Sequence, residues 1–98
     1  SFLKILAHNL IMKDKIETTE ARAKELRPIV ERLVTIAKKQ TLASFRLLLS
    51  KVSKDSAEKL YYEIAPRYKD RKGGYLRILK TSKQRMRDAA KMSIIEFI

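Results

Sequence analysis

Apolar positions along the chain change their period once, from a helical repeat to an alternating one, and the change divides the fold. From about Ser1 to Lys13, Leu3, Leu6, Ala7, Leu10 and Ile11 recur at i, i+3, i+4, i+7 and i+8, which predicts a helix buried along one stripe. "KIETT" then reads as a short strand or extended link. Thr18 or Thr19 suits the N-cap of a following helix, with Glu20 in its first turn, where a carboxylate meets the positive end of the helix dipole. Ala23, Leu26, Val30, Leu33 and Ala37, widened by Ile29 and Ile36, carry that helix to about Lys39. Pro28 lies inside the pattern and predicts a kink or a split near Arg27. A third helix, about Leu42 to Val52, is expected to bury Leu42, Phe45, Leu48, Leu49 and Val52. A fourth, capped by Asp55 or Ser56, buries Ala57, Leu60, Tyr61 and Ile64 and ends at Pro66.

After a charged link from Arg67 to Gly74 the period becomes two. "YLRILK" sets Leu76 and Ile78 against Tyr75 and Arg77, a half-buried strand, and "AKMSIIEFI" ends as a second. Ile94 and Ile95 break the alternation, so either both faces are partly covered or a bulge shifts the register. The basic stretch between the two strands is too short for a crossover helix, which makes them antiparallel. The expected fold class is α+β: about four helices packed on one face of a small, mainly antiparallel two- to three-stranded sheet, with strands near residues 15–18, 75–80 and 90–98, in a single domain over residues 1–98.

Charge turns this fold reading into a functional one. The chain carries 23 Lys and Arg against 11 Asp and Glu, a net of +12. Such an excess suits a polyanion, and phosphate backbones gain affinity from counterion release. The charge is also clustered: from Arg67 to Lys91 there are ten Lys or Arg and two acids, a net of +8. Within this segment the arginines can fork onto phosphates, Tyr68 and Tyr75 offer stacking faces, and Gly73 and Gly74 let the backbone approach a phosphate closely. A weaker basic set, Arg22, Lys24, Arg27, Arg32, Lys38 and Lys39, shares its helix with Glu25 and Glu31 and reads largely as an ordinary solvated face.

Catalytic and metal chemistry find no support. Cysteine is absent and His8 is the sole histidine, which leaves no thiolate, no His-based metal cluster and no Ser-His-Asp set. The acids form no paired-carboxylate motif, and Gly73-Gly74 lacks the framework of a phosphate loop. Apolar runs fall well short of a membrane span, and the opening "SFLKILAHNLIM", interrupted by Lys4 and His8, reads as a core helix rather than a signal peptide. No cofactor, metal, membrane or small-molecule substrate is expected.

Two stretches are specific enough to resemble a known family. "KIETTEARAKELRPIVERLVTIAKK" is similar to the strand-to-helix segment of bacterial ribosomal protein L seventeen, and "EIAPRYKDRKGGYLRILK" resembles that family's "PR-(aromatic)-x-x-R-x-GGYTRI" signature. The ending "DAAKMSIIEF" is similar to its closing strand, so the resemblance spans nearly the whole chain. It implies a structural, non-enzymatic constituent of the large ribosomal subunit that binds and stabilises large-subunit rRNA near the outer end of the peptide exit tunnel, with neighbouring ribosomal proteins that include L thirty-two. Carried over residue by residue, it implies RNA contacts at Thr18, Thr19, Lys24, Arg27, Arg67, Arg71, Gly73, Gly74, Tyr75 and Arg77; the clustered charge adds Lys69, Lys72, Lys80, Lys83, Arg85 and Arg87. The sequence from Ser1 to Ile98 does not include the very basic tail that family members usually carry before the first helix, Leu76 stands where the family often has Thr, and "KTSKQRMRD" lacks the family's Gly-containing turn. Relatives of this type serve bacterial cytoplasmic ribosomes and, with a similar "PRYKD…GGY" segment, mitochondrial matrix ribosomes. The competing readings are a free-standing basic protein that binds or compacts nucleic acid, and an amphipathic membrane-surface protein. The first lacks a helix-turn-helix or minor-groove wedge, and the second expects its charge along one helix.

Overall fold

A computed structural model describes residues 2–84 and 90–98, with the side chains of residues 82–84 left out of the description. Helix α1 (Phe2–Lys13) leads into β1 (Lys15–Thr19), α2 (Glu20–Lys38), α3 (Leu42–Lys51) and α4 (Lys54–Lys59), and α4 continues through a π-helical turn (Leu60–Ile64) into a last helical turn, α5 (Ala65–Arg67). Strands β2 (Leu76–Gln84) and β3 (Lys91–Phe97) complete an antiparallel sheet of order β1-β3-β2. This is the expected α+β architecture, with "KIETT" as an outer strand.

Register explains which face of the sheet is covered. Ile95 lies between Ile16 and Ile78, Phe97 opposes Leu76, and Ser93 lies between Thr18 and Lys80. Side chains at paired positions share a face, so Ile16, Thr18, Ser93, Ile95, Phe97, Leu76 and Ile78 look toward the helices, and α2 packs across them. The other face carries Glu96 between Lys15 and Arg77, and Ile94 between Glu17 and Leu79. Ile94 is half-buried there, which accounts for the broken alternation of β3: both faces are partly covered. The irregularity sits in the partner strand, where β2 advances from Lys80 to Gln84 while β3 moves only from Ser93 to Lys91.

The core follows the helical stripes. Ala7, Leu10 and Ile11 of α1, Ala23, Leu26, Val30, Leu33, Val34 and Ala37 of α2, and Leu48, Ala57, Leu60 and Ile64 form one cluster with the sheet. Each fully buried Leu or Ile contributes roughly 1.5–3 kcal/mol, far more than a surface ion pair. His8 joins α1 to the start of α4, its Nδ1 lying 2.6 Å from Ser56 Oγ and 3.1 Å from Ser53 Oγ.

Three expectations change and one is narrowed. Of the kink or split expected at Pro28, the split does not occur, since helix α2 runs through it. Proline removes the hydrogen bond to the carbonyl of Lys24, and both residues lie on the exposed side, where water can take that acceptor. In α3, Leu42 and Leu49 are exposed and Ser44 is buried instead, because Thr41 caps the helix in a reciprocal box with Ser44 and fixes its rotation. Helix α4 begins at Lys54, its N-cap Ser53 lying two or three residues before the expected Asp55 or Ser56. Pro66 does not end the last helix but sits inside its final turn. The π-helical spacing leaves the carbonyl of Tyr61 opposite the nitrogen of Pro66, which cannot donate. Gln40 Nε2 donates to that carbonyl at 2.8 Å and to the Ala37 carbonyl at 2.8 Å, closing the ends of two helices with one amide.

Candidate nucleic-acid interface

The segment from Arg67 to Tyr75 has little regular structure of its own, and its shape comes from elsewhere. Two aromatic side chains root it. Tyr68 is 4% exposed and its hydroxyl donates to the Ile98 carbonyl at 2.6 Å; Tyr75 is 1% exposed, and its ring lies 5.2 Å from that of Tyr68. Tyr68 also stacks on Phe97 at 6.4 Å. The expectation that these tyrosines present stacking faces to a base is therefore corrected. Gly74, at φ +64°, turns the chain just before the strand and swings the Tyr75 ring inward, although alternation with Leu76 would place it outside. Burial pushes the Tyr68 hydroxyl above its ordinary pKa, since ionisation there loses hydration.

Helix α2 fixes the rest. The Glu31 carboxylate accepts the backbone N–H of Tyr75 at 3.1 Å and of Leu76 at 3.0 Å, one on each oxygen. One helical stretch later, the Lys38 ammonium donates to the Arg71 carbonyl and, at 3.0 Å, to the Tyr75 hydroxyl, and it lies 4.9 Å from the centre of the Tyr75 ring. Charge-assisted hydrogen bonds of this kind are about twice as strong as neutral ones. At the other end of the segment Arg67 meets Asp14 at 3.0 Å, and this bond raises the arginine pKa further. Both partners are well exposed, so the pair adds little stability. Asp14 itself sits at φ +68°, where it ends α1 and accepts the backbone N–H of Phe97 at 3.1 Å.

With its backbone held in this way, the loop turns its cations outward. Lys69, Arg71 and Lys72 are exposed, and none has a carboxylate within ion-pair distance among the described residues. Hydrogen bonds show that α2 and the loop-to-β2 segment run side by side in opposite directions, Lys38 meeting Arg71 and Glu31 meeting Tyr75 and Leu76, and the charges of Lys80 and Lys91 act on Glu20 further along. Lys24, Arg27, Lys80 and Arg71 thus border one edge, about 27 Å long at the rise of a helix. The acids along it are already engaged. Glu31 is bound to backbone, and Glu20 is held below the usual carboxylate range by its hydrogen bond to Lys24 at 2.9 Å. Arg27 stands 3.9 Å from Glu31, a loose contact.

Other expected site residues lie apart from this edge. Arg77 points to the open face of the sheet, 2.7 Å from Glu96. Thr18 and Thr19 are buried at the end of β1, and the Thr19 hydroxyl accepts the Arg22 backbone N–H at 3.3 Å as the N-cap of α2. Gly73 is partly covered beside Gly74. Lys83 belongs to β2, its side chain outside the description, and Arg85 and Arg87 lie outside the described residues. Glu31 and Lys38 are what sequence reasoning missed as parts of the site. Their partners lie 44 and 33 residues away, so only an acid interrupting a basic helix hinted at the first. Among the described residues there is no cluster of His, Cys, Asp or Glu fit to hold a metal ion, and no helix is long and apolar enough to cross a membrane.

Comparison with known proteins returns one consistent likeness. The family model described as "Ribosomal protein L17" matches residues 2–98. A large ribosomal subunit protein bL17 from Persephonella marina is 54% identical over 95 residues, covering 95% of this chain and 77% of its own length. Proteins of the same name from Hydrogenobaculum and Acholeplasma laidlawii are 46% and 48% identical across all of this chain, covering 84% and 87% of theirs.

Proposed function

Because the chain belongs to the ribosomal protein L17 family, we propose that its braced cationic edge is the surface through which it serves in the ribosome. The chain is a structural constituent of the large ribosomal subunit and not an enzyme. Its work is to bind and stabilise large-subunit rRNA by position and charge, with residues 1–98 acting as one domain. The observation that carries this reading is the exposed trio Lys69, Arg71 and Lys72, held without acidic partners among the described residues on a loop whose backbone is fixed by Glu31 and Lys38. A preformed loop meets phosphates without losing further backbone entropy, and contacts of this kind position a protein without reading base sequence.

Within that surface, Lys24, Arg27, Lys69, Arg71, Lys72 and Lys80 are assigned to phosphates, with Lys83, Arg85 and Arg87 extending the edge. Arg67 and Arg77 are assigned as RNA contacts that keep one side on a carboxylate. Gly73 and Gly74 admit a close backbone approach. Thr18, Thr19 and Tyr75 act from beneath, by shaping the backbone that RNA meets. The partners are rRNA and ribosomal proteins of the same subunit, among which we assign L thirty-two as a neighbour. The bacterial relatives favour a cytoplasmic bacterial ribosome over a mitochondrial one. Retention on large subunits through a high-salt wash tests the reading; migration with nucleoid DNA or lipid overturns it.

A further inference from the structure

On the side of the molecule formed by α1, α2 and the link from α3 to α4 lies an open groove of about 790 Å³. Its walls are aliphatic: Leu3 and Ile5 from α1, Ile29 and Ile36 from α2, and Val52. Ile5 is 59% exposed, so this is apolar surface left in water rather than an internal void. Aliphatic side chains left in water together and edged by cations make this groove a candidate docking place. The exposed cations Arg32 and Lys51 also line it, together with Lys4, and among the described residues no carboxylate does.

The chemistry of the lining selects the occupant. A second copy of this chain, at +12, or any basic stretch of the chain itself would bring cations against cations. RNA matches the charge but not the walls, since among the described residues the lining contains no Phe or Tyr for a base to stack on, and its imidazole, His8, is engaged by Ser53 and Ser56. An amphipathic peptide segment matches both: aliphatic anchors at helical spacing fill the groove, and Asp or Glu beside them meet Arg32 and Lys51.

We infer that this groove receives an acid-flanked, aliphatic segment of a neighbouring protein in the assembled subunit. The inference rests on the family reading above. It is tested by placing a photoreactive benzophenone amino acid at Ile5 and irradiating purified large subunits that contain the chain. The expected product is a protein adduct whose linked peptide has aliphatic residues flanked by Asp or Glu. Reversing the two cations, Arg32→Glu with Lys51→Glu, should lower its yield about tenfold, as expected for two exposed ion pairs, while the chain remains in the subunit. An adduct with rRNA or with this chain itself overturns the inference, as does the lack of any adduct or a yield indifferent to the charge reversal; the family reading survives each of these. If the chain is absent from large subunits, both fall together.

Discussion

Glu31 and Tyr75 lie 44 residues apart in sequence and meet at 3.1 Å, where the helix carboxylate accepts the backbone N–H that opens the β2 segment. Through its second oxygen Glu31 also takes Leu76. One side chain thereby fixes the angle at which the basic loop enters the sheet. Glu31→Ala leaves both amides without their acceptor and should cost about 2 kcal/mol, read as a lower urea midpoint at constant slope. Amide exchange at Tyr75 and Leu76 should accelerate more than at Leu26 or Leu60. Glu31→Gln keeps one oxygen and should cost less. An unchanged midpoint in the Ala variant would remove Glu31 from the brace.

Alkaline titration probes the root of the same loop. Tyr68 is neutral when its hydroxyl donates to Ile98, and burial raises its pKa in the folded chain above the ordinary value of 10.0. A raised folded value means that the native state holds the proton more tightly than the unfolded state. The stabilisation is then complete below pH 10 and is lost as pH rises from that value through the folded pKa. Thermal melts should show the midpoint falling above pH 10, and Tyr68→Phe should flatten that part of the profile. A fall of equal steepness in the variant would assign the effect to other groups.

Gln40 joins the ends of two helices, so its loss should be felt at both. Gln40→Ala removes the side-chain donor from the carbonyls of Tyr61 and Ala37, of which Ala37 keeps the backbone N–H of residue 40, and should destabilise the chain by about 1 kcal/mol. Since Gln40 itself sits at φ +54°, Gln40→Gly relieves backbone strain and should recover part of that loss. Chemical denaturation of the three proteins decides; Ala and Gly variants as stable as the parent would show that the amide does not close the π-helical turn.

The order of helices and strands was legible because the stripes are long and the period changes sharply. Ala7, Leu10 and Ile11, or Ala23 through Ala37, announce a buried helix face by spacing alone. Apolar spacing failed where a cap or a tertiary contact decides. Leu42 looked like core, yet the Thr41–Ser44 box turned it outward. Pro28 looked like a kink or a break, yet the helix continues through it, with the carbonyl it leaves free on the exposed side. The basic cluster was visible as charge, and Lys69, Arg71 and Lys72 do stand exposed. Tyr68 and Tyr75 were not legible as core, because the contacts that hold them, Tyr68 with Phe97 and Ile98 and Tyr75 with Glu31 and Lys38, join segments distant in sequence. Motif likeness flagged Thr19 and Arg77 without revealing that one caps α2 and the other pairs with Glu96.

The central claim is that a fixed loop presents Lys69, Arg71 and Lys72 to phosphate, and the salt dependence of rRNA binding reads it most directly. Affinity for large-subunit rRNA should be measured against salt concentration for the parent chain and for a Lys69→Ala, Arg71→Ala, Lys72→Ala triple variant. The account predicts that the variant keeps the parent's urea midpoint while the slope of log K against log salt becomes shallower by about 2 to 3, near one for each phosphate that is no longer neutralised. A slope and affinity indistinguishable from the parent's would contradict it.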